Sequence, residues 1–180
     1  MTTPSCASTQ TATFAGGCFW RMEPPFESLE GVTEVVAGYA GGTTPNPTYH
    51  EVAHGQTDYA EAVQVTYNPK VVSYDQLLIT YWRSIDPTQD DGQFADIGKH
   101  YRTIIFYHDD DQHQLAIAAK QALSGSRKFD LPIVTQLRPY TTFHLAEDYH
   151  QDYYKKSTLQ YIRYKKGSGR DSFLKQHWPK

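Results

Sequence analysis

The chain has 180 residues, 17 Lys and Arg against 20 Asp and Glu, and only two cysteines. These numbers suit one domain and exclude a polybasic nucleic-acid binder, an acidic disordered tail and a disulfide-stapled scaffold. No apolar run approaches the roughly 18–20 residues of a membrane span, and residues 1–10 lack the basic and apolar regions of a signal peptide. A single cytoplasmic domain over residues 1–180 is expected, with no membrane or nucleic-acid partner and unusual only in its 14 Tyr, 8 Phe and 3 Trp.

Thr11–Ala15 reads as a short strand running into Gly16-Gly17, and Val32–Ala37 as a second strand ending at Gly38. Ala60–Tyr67 alternates, with Glu61, Val63, Val65 and Tyr67 on one face and small or polar residues on the other. Ser73 with Gln76 forms a capping-box pattern. The helix it starts carries Tyr74, Leu77, Leu78, Tyr81, Trp82 and Ile85 at packing spacing until Asp86-Pro87. Tyr101–Tyr107 is an apolar strand, followed by a helix from the acidic run Asp109–Asp111 to about Ser124. Pro132–Leu137 reads as a further strand and Glu147–Lys156 as a further helix. Strands alternating with helices indicate an α+β chain, a sheet layered with helices. Residues 1–10 are expected to be flexible.

Two stretches, Gly38–Tyr59 and Asp86–His100, have no helical or strand period and exceed the usual length of connecting loops. Residues 155–180 hold eight basic residues and one acid, which leaves the first 154 at net −10. This basic tail is expected to fold back on the acidic body.

Gly16-Gly17-Cys18-Phe19-Trp20 is the sharpest local feature. Two glycines leave open backbone beside the sulfur, and a helix starting there would offer N–H groups to a thiolate. Arg21 could add a positive charge, although Pro24-Pro25 fits poorly inside a helix begun at Cys18. Glu61 on an apolar strand face would be desolvated, hold its proton near neutrality and suit general acid catalysis. Tyr49 ends a proline-stiffened turn, and Asp96 and Tyr101 close the second long loop. The His and Cys complement is read as offering no metal site, and no glycine fingerprint for a nucleotide cofactor follows a strand.

Together, GGCFW (16–20), GYAGG (38–42), NPTY (46–49), AEAV (60–63), DPTQ (86–89), ADIG (95–98) with Tyr101, and AEDYHQDYY (146–154) resemble the methionine sulfoxide reductase A family. The resemblance implies an α/β two-layer sandwich with a mixed sheet in a ferredoxin-like plait, long functional loops and an irregular C-terminal tail over 157–180. It also implies a peptide-methionine (S)-S-oxide reductase. Cys18 would attack the sulfoxide sulfur, Glu61 would protonate the oxygen, Tyr49 and Tyr101 would hydrogen-bond it, and Asp96 would help orient the site. Phe19 and Trp20 would hold the substrate methyl. The substrate would be methionine sulfoxide, free or in proteins, and the enzyme a monomer without a prosthetic cofactor. The resulting sulfenic acid needs an external thiol: thioredoxin, glutaredoxin with glutathione, or a small dithiol.

The chain departs from the family where Arg21 follows CFW, where Tyr59 precedes Ala-Glu, and where Ala53 and the tail lack the cysteines of other members. Cys6, the only other thiol, is the one internal candidate for resolving the sulfenic acid. A cysteine hydrolase or acyltransferase built on Cys18, and a non-catalytic methionine-binding module, are the competing readings.

Overall fold

The apolar strands collect into one sheet, as their alternation requires. A computed structural model of the chain describes residues 8–179. In chain order the first half comprises β1 (Gln10–Gly16), a 3-10 turn (Phe19–Arg21), α1 (Glu23–Glu27), β2 (Val32–Ala40), α2 (Tyr49–Ala53), β3 (Ala60–Tyr67) and α3 (Tyr74–Trp82). Then follow β4 (Gly92–Gln93), β5 (Asp96–Ile97), a second 3-10 turn (Lys99–Tyr101), β6 (Thr103–Tyr107) and α4 (Asp110–Gly125). The last quarter comprises β7 (Gln136–Pro139), β8 (Phe143–Leu145), α5 (Tyr153–Lys156), α6 (Thr158–Gly167) and α7 (Arg170–His177).

Six strands form a mixed sheet in the order β7-β6-β1-β3-β2-β8, and β4 pairs with β5 as a separate hairpin. β1 lies antiparallel between β3 and β6, and among the described residues only β6 with β7 is parallel. A four-stranded plait would stop at β6 and β2; here β7 and β8 extend both edges. On one face α1 and α3 pack over Phe14, Val63, Val65 and Tyr67, where Phe14 stacks between Phe26 and Tyr81 with ring centroids 5.1 Å away on each side. The smaller opposite cluster of Ala15, Ala40, Ala60, Ala62, Ile104 and Phe106 lies under Tyr140 and Phe143.

The strand Ala60–Tyr67 and the Ser73–Gln76 capping box stand as the pattern predicts, because alternation and capping are local signals. Four expectations change. The strand expected at Pro132–Leu137 forms later, over Gln136–Pro139; Val134 donates its N–H to the Pro87 carbonyl (2.8 Å) instead of to a neighbouring strand. The helix expected over Glu147–Lys156 is confined to Tyr153–Lys156. Gln151 is drawn to the β2 edge by paired bonds with the Ala37 backbone (2.8 Å each), and Asp152 turns left-handed at φ 54°. The two long loops hold the capped helix α2 and the β4–β5 hairpin.

The tail is helical rather than irregular: α6 and α7 are separated at Gly169, whose φ of 77° suits a residue without Cβ. Basic composition masked the apolar residues that dock it, among them Tyr161 and Tyr164 on α6 and Trp178 after α7. No helix among the described residues is long and apolar enough to cross a membrane. Cys6 lies outside the described residues, as does most of the 1–10 segment expected to be flexible; Gln10 already belongs to β1.

Candidate active site

β1 ends at Gly16, and Gly17 (φ 86°) turns the chain so that Cys18 stands at the N-terminus of the following 3-10 turn. Cys18 is only 5% exposed. From the neighbouring strand, Glu61 reaches the same spot: its Oε2 accepts the N–H of Phe19 at 3.1 Å. Glu61 is 1% exposed and stands opposite Tyr39 in the β2–β3 register. Burial pushes its carboxyl up to about 8; the Phe19 N–H opposes that rise and the Asp96 charge adds to it. Glu61 therefore holds a proton at neutral pH.

The thiol is also held in its neutral form. Burial, then the neighbouring Glu61 and Asp96 carboxyls, push Cys18 well above the usual thiol range, against hydrogen bonds from the Trp20 backbone and Tyr164. The expected helix N-terminus is a three-residue turn, after which α1 starts afresh with Pro24 and Pro25 in its first turn. It is too short to outweigh the desolvation. A neutral thiol beside a neutral carboxyl is the resting arrangement.

Tyr49 and Tyr101 both interact with Glu61 and Cys18. Tyr49 opens α2, its N–H donating to Glu147 Oε1 at 2.9 Å, and Tyr101 ends the second 3-10 turn. Burial, then Glu61 and Cys18, raise both phenols, Tyr49 to about 12 and Tyr101 further. Both stay protonated donors, and neither hydroxyl is hydrogen-bonded to protein among the described residues. Asp96, in β5, accepts a hydrogen bond from the Tyr164 hydroxyl of α6. Burial raises its carboxyl, while Tyr164 and then the Arg170 and Arg21 charges oppose that.

An aromatic wall flanks the sulfur. Phe19 is buried; Trp20 stacks on Tyr153 (centroids 3.7 Å, planes 7° apart) and donates its Nε1–H to His150 Nδ1 at 3.1 Å. His150 lies 5.0 Å from the Phe19 ring and 4.4 Å from that of Tyr49. Burial lowers its pKa, so it is a neutral imidazole with the proton on Nε2.

The sequence profile described as peptide methionine sulfoxide reductase matches residues 10–180. The chain belongs to the peptide methionine sulfoxide reductase family. A relative named peptide methionine sulfoxide reductase MsrA 2, from Staphylococcus aureus, is 49% identical over 93% of this chain and 94% of its own length. One named peptide methionine sulfoxide reductase MsrA, from Bacillus licheniformis, is 51% identical over 94% and 93%. Among solved structures, reduced Mxr1 from Saccharomyces cerevisiae superposes with a TM-score of 0.79 at 33% identity, covering 86% of this chain and 88% of that one. Mxr1 in complex with Trx2 matches at a TM-score of 0.58 and 26% identity, covering 85% and 90%.

In this methionine sulfoxide reductase Cys18, Tyr49, Glu61, Asp96 and Tyr101 act on one another electrostatically, and Phe19 and Trp20 follow Cys18 in the same turn. Arg21 does not join them: its guanidinium turns away to pair with Asp171 of α7 and donates to the Tyr161 hydroxyl at 3.1 Å. Four residues not singled out from the sequence belong to the same surroundings: Glu147, His150, Tyr153 and Tyr164. The first three lie inside the AEDYHQDYY motif, whose recurrence was the available signal; Tyr164 carried none. The histidine spacing also holds more than the reading of the sequence allowed, since His50-Glu51-Val52-Ala53-His54 has the HExxH form of a zinc-binding helix. Here the Glu51 carboxylate is occupied by the Thr48 capping box, and His54 Nδ1 bonds the His50 carbonyl at 2.7 Å. Among the described residues no three His, Cys, Asp or Glu side chains are grouped to hold a metal.

Proposed function

We propose that residues 8–179 act as one catalytic domain that reduces the S epimer of methionine sulfoxide, free or in proteins, to methionine. The observation that carries this reading is the buried Glu61 carboxyl, joined through the Phe19 N–H to the turn that bears Cys18; burial there favours its protonated form. A sulfoxide is a poor electrophile until its oxygen is protonated, and a nucleophilic thiol must attack sulfur on the opposite side from that leaving oxygen. The Glu61 proton passes to the sulfoxide oxygen as Cys18 Sγ bonds to the sulfoxide sulfur. The thiol proton returns to the Glu61 carboxylate. Glu61 then protonates the hydroxyl, which leaves as water; a water adds to Sγ, the Sγ–S bond breaks with its electron pair on the substrate sulfur, and the water's proton returns to Glu61. A thioether and Cys18 sulfenic acid remain, so the sulfoxide is reduced by two electrons and the thiol oxidised by two.

Tyr49 and Tyr101 donate to the oxygen as negative charge develops on it, which neutral phenols do without stabilising a resting anion. Phe19 and Trp20 enclose the methyl group, whose burial is worth about 1 kcal/mol. With oxygen, methyl and chain each assigned a place, only one configuration at sulfur presents the sulfur to Cys18. An external thiol regenerates the enzyme, thioredoxin or glutaredoxin with glutathione. The similarity to a protein solved with Trx2 supports the first. No histidine bonds Cys18 among the described residues, so nothing favours a hydrolase.

An epimer-resolved assay with each reductant tests the reading. Turnover of the S epimer alone is the expected result, and equal turnover of both epimers would contradict the three-point placement. Tyr164→Phe removes the hydroxyl that steadies Asp96. It is expected to lower turnover about tenfold, the loss of one charge-assisted hydrogen bond, while circular dichroism and melting stay near those of the wild type.

A further inference from the structure

Arg170 is the largest side chain buried below 2% exposure, yet it lies in the tail, 152 positions after Cys18. At the first position of α7 its guanidinium passes beneath the glycine turn. Nη2 donates to the Gly16 carbonyl at 3.1 Å, and Nη1 donates to the Ser84 carbonyl at 2.9 Å and to Met22 Sδ at 3.6 Å. The Phe94 ring lies 4.8 Å from its central carbon. The fit leaves no slack, because a Cβ on Gly17 would fall 2.6 Å from Arg170 Nη2.

A buried guanidinium ordinarily needs an anion, since desolvating a charge costs several kcal/mol unless it is paired. Among the described residues no carboxylate stands within ion-pair distance of Arg170, and its Nε is buried without a partner. The carbonyls that bind it are neutral, and Asp96 acts on its charge from beyond ion-pair distance. The titratable groups within its field are Cys18, Asp96, Tyr164 and Arg21. Those facing the thiol itself are Glu61, Asp96 and Tyr164, with Tyr49 and Tyr101 alongside. Near neutrality the resting thiol is neutral, so beside Asp96 the second anion that Arg170 can face at this place is the one that appears when Cys18 gives up its proton.

We propose that Arg170 is a positioning residue for the reductase step: it pins the Gly16–Gly17 turn that aims Cys18 and supplies the preorganised positive charge against which the Cys18 thiolate forms. The tail helix is then part of the active site, and the Arg21–Asp171 pair one residue along α7 helps to hold it there. This rests on Cys18 being the nucleophile.

The test is the pH dependence of Cys18 alkylation by iodoacetamide, read at the Cys18 peptide by mass spectrometry, together with single-turnover reduction of S-methionine sulfoxide. Arg170→Met keeps an apolar stem and loses the charge; Arg170→Lys keeps both. Arg170→Met is expected to shift the alkylation profile upward by about one pH unit and slow single turnover about 100-fold. Arg170→Lys should hold the profile near that of the wild type and recover part of the rate. Unshifted profiles in folded variants, or equal shifts in both, would overturn the electrostatic role. Failure of both to fold would assign Arg170 to stability alone and also overturn it. Alkylation needs no substrate, so these outcomes are separate from whether Cys18→Ser abolishes turnover.

Discussion

Cys18→Ser is expected to abolish reduction of methionine sulfoxide, to at least about 10⁴-fold below the wild type. A serine hydroxyl in the same buried place has a far higher pKa than the thiol, and oxygen cannot take up the sulfoxide oxygen as a stable sulfenic acid. Nothing in the fold needs the sulfur: Cys18 packs at the start of a short turn and makes no disulfide among the described residues. The variant should melt close to the wild type, which separates lost chemistry from lost structure. Cys6→Ser, in the same dithiothreitol-driven assay, should retain nearly full activity, because an external dithiol reduces the sulfenic acid without an internal partner. Equal loss in the two variants would contradict a single-thiol reductase step.

Glu61→Gln is expected to slow the reductase step by about 10²- to 10⁴-fold, the usual worth of a positioned general acid. The amide keeps an acceptor for the Phe19 N–H and so preserves the turn, but it has no acidic proton. The wild-type single-turnover rate should fall as pH rises through about 8, where Glu61 ionises. The variant's lower rate should show no such step. Stability follows from the same shift. A carboxyl whose folded pKa is raised contributes stability that is complete below its unfolded value, about 4.3, and lost as pH rises to about 8. Wild-type urea midpoints should therefore decline between pH 5 and 8, and Glu61→Gln should decline less. A residual slope belongs to Glu23, whose buried carboxyl is pushed up to about 7 by burial. A variant with the wild-type slope would mean that Glu61 is ionised in the resting protein.

Glu61 also shows what a sequence can and cannot disclose. Alternation over Ala60–Tyr67 is enough to place it on the apolar face, and burial then follows from the sheet. Strand alternation and capping boxes are local, so β3 and α3 were legible from a dozen residues each. The site's roles for Tyr49, Tyr101 and Asp96 came from family motifs, since a phenol or carboxylate at a loop end has no periodic signature. What stayed hidden depends on distant pairing. Tyr164 meets Asp96 across 68 positions, and Arg170 meets Gly16 across 154. In the sequence both sit within a lysine-rich stretch whose charge suggested a solvated wrap. Arg21 misled for the converse reason: adjacency to Cys18 implied a role at the thiol, but the side chain leaves the turn on the side of Asp171.

The most direct test of Cys18 as the reacting atom is a reductant-free single turnover with S-methionine sulfoxide and dimedone present. The expected result is one methionine released per protein and one dimedone adduct, located on Cys18 in both the wild type and Cys6→Ser. Methionine released without an adduct on Cys18, or a Cys6–Cys18 disulfide in its place in the wild type, would contradict a one-cysteine sulfenic acid enzyme.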